Sequence, residues 1–148
     1  MDLISELEAD CSAVRLFGQL DDLSRYPEWL TIVARADADL ADGTSQGEQA
    51  WTVDLRGRFG RLARSKRLRM VRTAYVAPHH CRFERRELDG RDHSAWVLDV
   101  QVSDLGNERS KLVMSLHYGG GFGGALIEKM LRDEIERSRP TLLDLVRV

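Results

Sequence analysis

The sequence predicts an α+β domain in which strands and helices are segregated along the chain. Residues 49–118 alternate apolar and polar side chains in runs separated by short turn signals, which indicates antiparallel strands. Residues 122–138 carry apolar side chains at helical spacing, and two shorter helical patterns follow the first strand. A twisted antiparallel sheet wrapped around one long helix is the economical packing, and residues 1–148 are long enough for a single domain.

The N-terminal part of the chain predicts one strand followed by two short helices. The strand covers Leu3–Cys11, and Ser12 is placed to cap a helix whose apolar residues recur at helical spacing. The pair Asp21–Asp22 caps a second short helix over Leu23–Leu30. Pro27 lies within this second helix and is expected to break or kink it.

Six further strands are predicted between these helices and the C-terminal helix. Gly57 and Gly60 indicate a bulge or bend, and three dipeptides indicate turns, namely Asp42–Gly43, Asp89–Gly90 and Gly106–Asn107. The strands are expected over Ala36–Leu40, Gln49–Phe59, Leu62–Val76, Cys81–Leu88, Ser94–Val102 and Lys111–Tyr118.

The C-terminal helix carries a broad apolar stripe. At 1.5 Å per residue, the segment Phe122–Ser138 alone would be about 26 Å long, enough to cross a sheet. Pro140 is expected to kink the helix, and the stripe continues beyond it. Two interleaved series with a spacing of four residues form the stripe: Phe122, Leu126 and Met130, and Ile127, Leu131 and Ile135.

Charge is unevenly distributed along the chain, although the formal net charge is only −2. Residues 1–55 have a balance of −9 and residues 56–91 one of +9. The segment 56–72 holds eight basic residues and no acid. This segment is either a surface for an anionic partner or, as we favour, a solvated hairpin face that meets the acidic N-terminal third. Aromatic residues do not interleave with its arginines, so nucleic acid is not expected as a partner.

Composition excludes several classes of protein. Apolar residues make up 43% of the chain and charged residues 31%, which is typical of a soluble globular domain. No apolar run approaches the roughly 18 residues of a transmembrane helix. The acidic N-terminus lacks the pattern of a signal peptide, so we expect a cytoplasmic protein. Two cysteines, Cys11 and Cys81, cannot form a disulfide framework.

Several residues carry a resemblance to a known family. The segment Asp22–Trp29 (DLSRYPEW) resembles the helical D-l-x-x-Y-P-x-W signature of the START-like, or SRPBCC, superfamily. The glycine-rich segment Gly119–Gly124 is similar to that superfamily's last strand-to-helix junction, and the order of elements matches over essentially the whole chain. The branch it most resembles is the bacterial polyketide cyclase/dehydrase and lipid transport proteins.

The resemblance implies a helix-grip fold, in which a seven-stranded antiparallel sheet grips the C-terminal helix around an apolar pocket. Members bind lipids, sterols, polyketides, plant hormones or quinones, and some catalyse cyclisation. Composition and spacing alone favour a filled core for the large apolar residues of this chain, whereas the resemblance implies that they line a cavity. The expected set is Trp29, Trp51, Met70, Phe83, Trp96, Met114, Tyr118, Phe122, Leu126 and Met130.

An arginine of the segment 56–72 is expected near this cavity, because strand parity places one on each face. Arg69 and Arg72 are both candidates for the ligand site, and parity does not choose between them. A buried guanidinium needs a partner, either a protein carboxylate or the carboxylate or phenolate of a ligand.

Three other motifs favour structural roles. Gly119-x-Gly121-x-x-Gly124 matches a dinucleotide-binding fingerprint, but the fingerprint requires a second strand after the helix, and none follows here. We therefore expect no cofactor. For the glycines we favour close packing or a flexible pocket mouth over a weak anion site. His79–Cys81 places adjacent side chains on opposite faces, which argues against a metal site. The available acid–base groups are expected on the outer face: Asp54, His93, Asp99 and His117.

We therefore expect a protein that binds a small hydrophobic or amphipathic molecule, such as a lipid, quinone or polyketide-like compound, in an internal cavity. The sequence assigns no catalytic residue. One alternative is a polyketide aromatase/cyclase or dehydratase that uses Arg69, Arg72, Tyr118 or His117 within the same cavity. A second alternative is an accessory protein that binds a partner through the basic segment 56–72. The sequence leaves open whether the chain forms a homodimer.

Overall fold

A seven-stranded antiparallel sheet dominates the structure. The computed structural model describes residues 1–39, 48–59, 62–119 and 124–148, with 57–59, 62–65 and 124–126 described by their backbone alone. The strands follow the order β1-β7-β6-β5-β4-β3-β2 across the sheet, which confirms the predicted antiparallel α+β architecture. They are β1 (Asp2–Ala9), β2 (Val33–Asp39), β3 (Ala50–Phe59), β4 (Leu62–Val76), β5 (His80–Arg85), β6 (Trp96–Gly106) and β7 (Arg109–Tyr118).

Two short helices connect β1 to β2. Helix α1 covers Ala13–Gly18, and the Ser12 hydroxyl accepts a hydrogen bond from the backbone N–H of Arg15 at 3.2 Å, as predicted for its cap. The second helix is a 3₁₀ helix over Leu23–Glu28 with Asp22 as its cap. It contains Pro27 and ends two residues before the predicted boundary.

The C-terminal helix α2 covers Gly124–Val146 and continues through Pro140. Its 23 residues span about 35 Å at 1.5 Å per residue, so the helix packs along the sheet. Arg15 of α1 donates to the carbonyl oxygens of Val146 at 2.8 Å and Arg147 at 2.9 Å, which satisfies groups that a helix C-terminus leaves unpaired. None of the helices in the described part of the chain is both long and apolar enough to span a membrane.

The sheet has one apolar inner face, as the alternation predicts. Trp51 pairs with Met70 across β3 and β4, and Val100 pairs with Met114 across β6 and β7. These four side chains are at most 7% exposed. Every described helix and strand contributes buried apolar residues to one hydrophobic cluster.

The connection between β5 and β6 differs from the predicted hairpin at Asp89–Gly90. β5 ends at Arg85 and β6 begins at Trp96, so residues 86–95 form a loop. Within it, Asp89 accepts a hydrogen bond from the backbone N–H of Arg91 at 2.9 Å. The Asp89 carboxylate thus forms a local side-chain turn instead of closing a two-residue hairpin.

The turn predicted at Gly106–Asn107 is confirmed. Asn107 and Glu108 both have positive φ angles, 53° and 56°, which matches the right-handed twist of β6 and β7. The expected bulge at Gly57 is absent, because β3 and β4 pair without a register shift from Ala50 to Phe59. Gly60 and the turn Asp42–Gly43 lie outside the described residues.

Asp22 links the 3₁₀ helix to the sheet. Its Oδ1 accepts from the Ser24 backbone N–H at 2.9 Å and from the indole N–H of buried Trp51 at 3.0 Å.

We expect Asp22→Ala to lower the free energy of unfolding by about 2–3 kcal/mol, because it removes a helix cap and leaves a buried donor unpaired. Urea unfolding monitored by tryptophan fluorescence measures this loss. Asp10→Ala, at a carboxylate whose side chain is 93% exposed, is the control and should cost little.

A second substitution separates the charge of Asp22 from its geometry. Burial alone would raise the pKa of Asp22, but the hydrogen bonds from Ser24 and Trp51 outweigh it and hold the pKa below its ordinary value. The charge therefore stabilises the fold above about pH 4, and this contribution is lost as the pH falls through the depressed pKa. The stability difference between the native chain and Asp22→Asn should shrink below pH 4. A constant difference down to pH 2 would contradict this assignment.

Candidate functional site

An apolar cavity lies between the inner face of the sheet, the 3₁₀ helix and α2. Its volume is about 110 Å³. Among the described lining residues, one aromatic side chain carries a hydroxyl group: Tyr26, which donates to the Leu20 carbonyl oxygen at 2.9 Å and is already satisfied. The apolar lining consists of Leu3, Ile4, Leu23, Tyr26, Leu30, Ile32, Val33, Val53, Leu55, Leu68, Met70, Trp96, Leu98, Met114, Leu116, Leu131 and Ile135.

The exposed members of the lining indicate where the cavity opens. Ile4 of β1 is 66% exposed, and the charged side chains of Arg132 and Glu136 on α2 line the same cavity. Both charged residues have partners on their own helix, since Arg132 bonds Glu128 at 2.9 Å and Glu136 bonds Arg139 at 3.5 Å. The opening therefore lies between β1 and α2, with charge at its rim and apolar groups inside.

The size of the cavity limits what it admits. A dry cavity of roughly 150 Å³ is enough to bind benzene, whereas sites for drug-sized ligands measure about 300–1,000 Å³. The 110 Å³ present here is smaller than that, so the cavity as it stands accommodates a short alkyl chain. A larger ligand would need the lining side chains to move, and Met70 and Met114 are suited to this because methionine adapts its shape readily.

Three of the predicted ligand residues line the cavity, namely Met70, Trp96 and Met114. Tyr118 does not line it, but its ring packs against that of Trp96 at 4.7 Å between centroids. Met130 is half-buried against the hydrophobic cluster. Phe122 lies outside the described residues, and Leu126 is described by its backbone alone.

Three other predicted aromatic residues pack together in the core away from the cavity lining. Trp51 makes an edge-to-face contact with Phe83 at 5.5 Å, and Tyr26 joins them by contacts with Phe83 and Trp29 at 6.3 and 5.1 Å. Trp29, Trp51 and Phe83 are at most 4% exposed. This end of the interior is filled by aromatic packing, which is the alternative that composition favoured.

The two candidate arginines both have protein partners, and neither lines the cavity. Arg69 lies on the outer face and pairs with Asp39 at 3.2 Å. Arg72 shares the inner parity, but it lies beyond the aromatic cluster and stacks on Tyr75, with its guanidinium carbon 3.9 Å from the ring centroid. Its Nη1 donates to the Asp21 carbonyl oxygen at 2.9 Å. Their predicted role in ligand binding stays a prediction.

Sequence reasoning missed two parts of the site. The first is the 3₁₀ helix and the segment after it, which supply Leu23, Leu30 and Ile32. The second is Lys66, whose ammonium lies over the ring of Trp96. Its shared parity with Leu68 and Met70 is the sequence signal that places it on the inner face.

The family of this chain follows from its sequence. Residues 5–142 match the family model described as "Polyketide cyclase / dehydrase and lipid transport". The chain belongs to this family. A search of curated proteins gives no sequence match.

Several solved structures share the fold of this chain, although their sequence identity to it is low. A START superfamily protein from Mycobacterium smegmatis is 15% identical with a TM-score of 0.72, covering 98% of this chain and 96% of the other. The Zhui aromatase/cyclase from a Streptomyces species is 11% identical with a TM-score of 0.71, covering 99% and 93%. The di-domain aromatase/cyclase BexL is 14% identical with a TM-score of 0.67, covering 100% of this chain and 50% of that protein. These similarities confirm the predicted START-like helix-grip fold.

The four acid–base groups predicted from the sequence of this polyketide cyclase/dehydrase family member lie away from the cavity, each beside a partner, whereas the carboxylate of Glu136 lies at its opening. His117 contacts Asp2 at 2.8 Å, and Asp99 contacts His80 at 2.7 Å. Asp54 accepts from Arg67 on the outer face, and His93 contacts Asp89 in the 86–95 loop. Among the described residues, no group of three or more histidine, cysteine, aspartate or glutamate side chains could hold a metal ion.

Gly119 packs closely against another part of the chain. Its backbone N–H donates to the Ala95 carbonyl oxygen at 2.9 Å, and a Cβ added at Gly119 would lie 3.2 Å from the Ala95 Cβ. Glycine at this position thus permits the contact between the end of β7 and the start of β6. Close packing, one of the two favoured explanations of the glycine motif, holds at Gly119; Gly121 lies outside the described residues.

Cys81 is an inert thiol. Burial, together with the negative charge of Asp21, raises the pKa of the thiol to about 12, and its Sγ lies 3.7 Å from the Leu20 carbonyl oxygen. At pH 8 only about one Cys81 in ten thousand would be a thiolate, the form that reacts.

In a Cys11→Ser variant, where Cys81 is the only thiol, we expect no reaction with Ellman's reagent at pH 8 until guanidinium chloride unfolds the protein. Reaction of the folded variant at the rate of a free thiol would show that this part of the core opens.

Proposed function

We propose that this protein binds a small hydrophobic or amphipathic molecule whose apolar part occupies the cavity between the sheet and α2. The observation that carries the proposal is the segregation of polarity in the cavity, with apolar side chains inside and charged side chains at the opening. The family description, which names polyketide cyclisation, dehydration and lipid transport, supports it.

The physical basis of binding is the removal of apolar surface from water. Each CH₂ group that a ligand buries contributes about 0.8 kcal/mol, against which the ordering of the ligand must be set. A chain or ring small enough for 110 Å³ buries only a few such groups, so its affinity on this basis would be about millimolar or weaker. Tighter binding would need the methionine side chains to move or a polar anchor for the ligand.

A cyclase or dehydratase is the alternative from the enzyme class. The family description and the aromatase/cyclases of similar fold support it. Such a reaction needs an acid or a base next to the reacting carbon. Of the residues considered for that role, His117 pairs with Asp2, and Arg69 and Arg72 are paired away from the cavity. Tyr118 is the one that packs against a cavity-lining residue. These positions favour binding over catalysis.

A partner for the basic segment 56–72 has less support. Among the residues whose side chains are described, Arg67 pairs with Asp54, Arg69 with Asp39, and Lys66 points to the inner face. Arg56 remains as an exposed cation. Of the five basic residues of this segment whose side chains are described, Arg67 and Arg69 thus form ion pairs within the sheet, which supports a solvated hairpin face. The exclusion of nucleic acid and the cytoplasmic location stay predictions.

Native mass spectrometry of the freshly purified protein tests whether the cavity is occupied. We expect a mass excess that disappears on denaturation, with a lipid, quinone or aromatic polyketide in the organic extract. An apo mass, together with no thermal shift from 1-octanol, 2-naphthalenemethanol or other small apolar compounds, would contradict the proposal.

Met114→Trp tests whether the cavity is the binding site. Met114 lines the cavity, and a larger ring there should fill it. We expect binding of 1-octanol, measured by isothermal titration calorimetry, to fall at least tenfold while the fold persists, since overpacking costs about 1–3 kcal/mol. The control is Val113→Trp, at the neighbouring position on the opposite face of β7, which should leave binding unchanged. Equal losses in both variants would show that the effect is not local to the cavity.

A further inference from the structure

Lys66 places a positive charge on the inner face of the sheet. It shares that face with Leu68, and it pairs in register with Leu55 of β3; both neighbours line the cavity. Its Nζ lies 5.6 Å from the centroid of the Trp96 ring and 5.7 Å from that of the Tyr118 ring. Contact with two ring faces offsets part of the cost of burying the charge. Among the described residues, no carboxylate forms an ion pair with Lys66.

Trp96 adds an unpaired donor at the same place. Its side chain lines the cavity and is 8% exposed, and its indole N–H has no hydrogen-bond partner in the described part of the chain. Leaving such a buried donor unpaired is unfavourable, and the large majority of buried polar atoms in proteins have partners. The Trp29 indole N–H is also unpaired among the described residues, but Trp29 does not line the cavity, and Trp51 donates to Asp22. Trp96 is thus a cavity-lining residue whose donor meets no acceptor in the described part of the chain.

Arg85 strengthens the positive potential without supplying that acceptor. Its side chain is 9% exposed, and its Nε donates to Glu87 at 3.1 Å. Glu87 is itself held in place, because the same carboxylate oxygen accepts from the Arg69 backbone N–H at 2.8 Å. Burial and the charge of Arg85 both lower the pKa of Lys66, so the two cations are close enough to interact. With Arg85 balanced by Glu87, no carboxylate of the described residues compensates the charge of Lys66.

From these positions we infer that Lys66 and the Trp96 indole N–H, within the field of Arg85, bind the oxyanion of an amphipathic ligand whose apolar body occupies the cavity. A carboxylate suits the site, since one oxygen can accept from the ammonium and the other from the indole; a phenolate offers one oxygen to the pair. The site disfavours cationic ligands by repulsion and neutral ones because they leave the ammonium uncompensated. This inference rests on the proposed function, because the cavity must hold the apolar body.

Four probes test the head group and the carbon skeleton separately. Octanoate and 1-octanol share a linear chain, and 2-naphthoate and 2-naphthalenemethanol share a fused ring. We expect isothermal titration calorimetry to show each carboxylate binding at least tenfold more tightly than its alcohol, a difference of about 1.4 kcal/mol. The preferred skeleton distinguishes a fatty-acid-like ligand from an aromatic polyketide-like one.

Variants then assign the preference to Lys66. Lys66→Met keeps an unbranched apolar side chain and should lose about tenfold in affinity for the carboxylate while the alcohol binds as before. Lys66→Arg retains the charge and should keep the preference. The control is Lys111→Met, since Lys111 is a partly exposed lysine paired with Glu6 on the outer face, and it should change neither affinity.

The indole N–H signal of Trp96 provides a second readout that does not depend on the lysine variants. In a ¹⁵N–¹H spectrum assigned through Trp96→Phe, octanoate should move this signal downfield, and 1-octanol should move it less. Equal affinity for carboxylates and alcohols, or equal losses for both in Lys66→Met, would overturn the inference while leaving the proposed function intact. If none of the four probes binds, the proposed function itself fails.

Discussion

The structure depends on one geometric constraint: a single long helix has to cover the inner face of a seven-stranded sheet that is wider than the helix. Every strand contributes apolar side chains to that face, and burying them drives the packing of α2 along the sheet. One helix is about 10 Å wide with its side chains, so it cannot fill the whole interior. The remaining space has to be occupied by other side chains or left as a cavity, and this chain does both at different ends.

Among the described residues, buried donors without partners occur at both ends of the interior, at Trp29 in the aromatic cluster and at Trp96 beside the cavity. At the α1 end, Arg15 caps the end of α2 and Asp22 accepts from the indole of Trp51. At the other end, the indole of Trp96 has no partner among the described residues, and Lys66 faces aromatic rings without a carboxylate. Buried polar or charged atoms that lack hydrogen-bond or ion-pair partners are found mainly at functional sites. Of the two unpaired indoles, only that of Trp96 belongs to a cavity-lining residue with an ammonium over its ring, and this combination favours it as the place of ligand recognition.

Most of the fold could be predicted from the sequence, because strand alternation, turn glycines and helix caps act locally. β4 has the predicted bounds, and the hairpin after Gly106 forms as expected. Asp89–Gly90 gives the same local signal, yet Asp89 bonds within its own loop, so the next strand starts only at Trp96. Gly57 stays in register because the pairing with β4 overrides the freedom of a single glycine.

The site was less predictable, because strand parity identifies a face but not the position along it. Arg72 and Lys66 share the inner face of β4, but Arg72 lies against Tyr75 beyond the aromatic cluster, whereas Lys66 lies over Trp96. The same limit applies to Trp51 and Trp96, of which the first fills the core and the second lines the cavity. Which inward residues meet α2, the 3₁₀ helix or empty space depends on contacts distant in sequence.

The chemistry available inside the cavity follows from this arrangement. A cyclisation or dehydration requires one group to remove a proton and a second to stabilise or protonate the oxygen on which charge develops. Lys66 and the indole of Trp96 are suited to the second task, since both donate towards an oxyanion. The first task needs a base. His117 and Asp99 are each paired with a residue away from the cavity lining, and the carboxylate of Glu136 lies at the charged opening, paired with Arg139. The oxyanion donors thus lie inside the described part of the cavity and the carboxylate at its rim, which favours recognition of an oxyanion-bearing apolar ligand over its conversion.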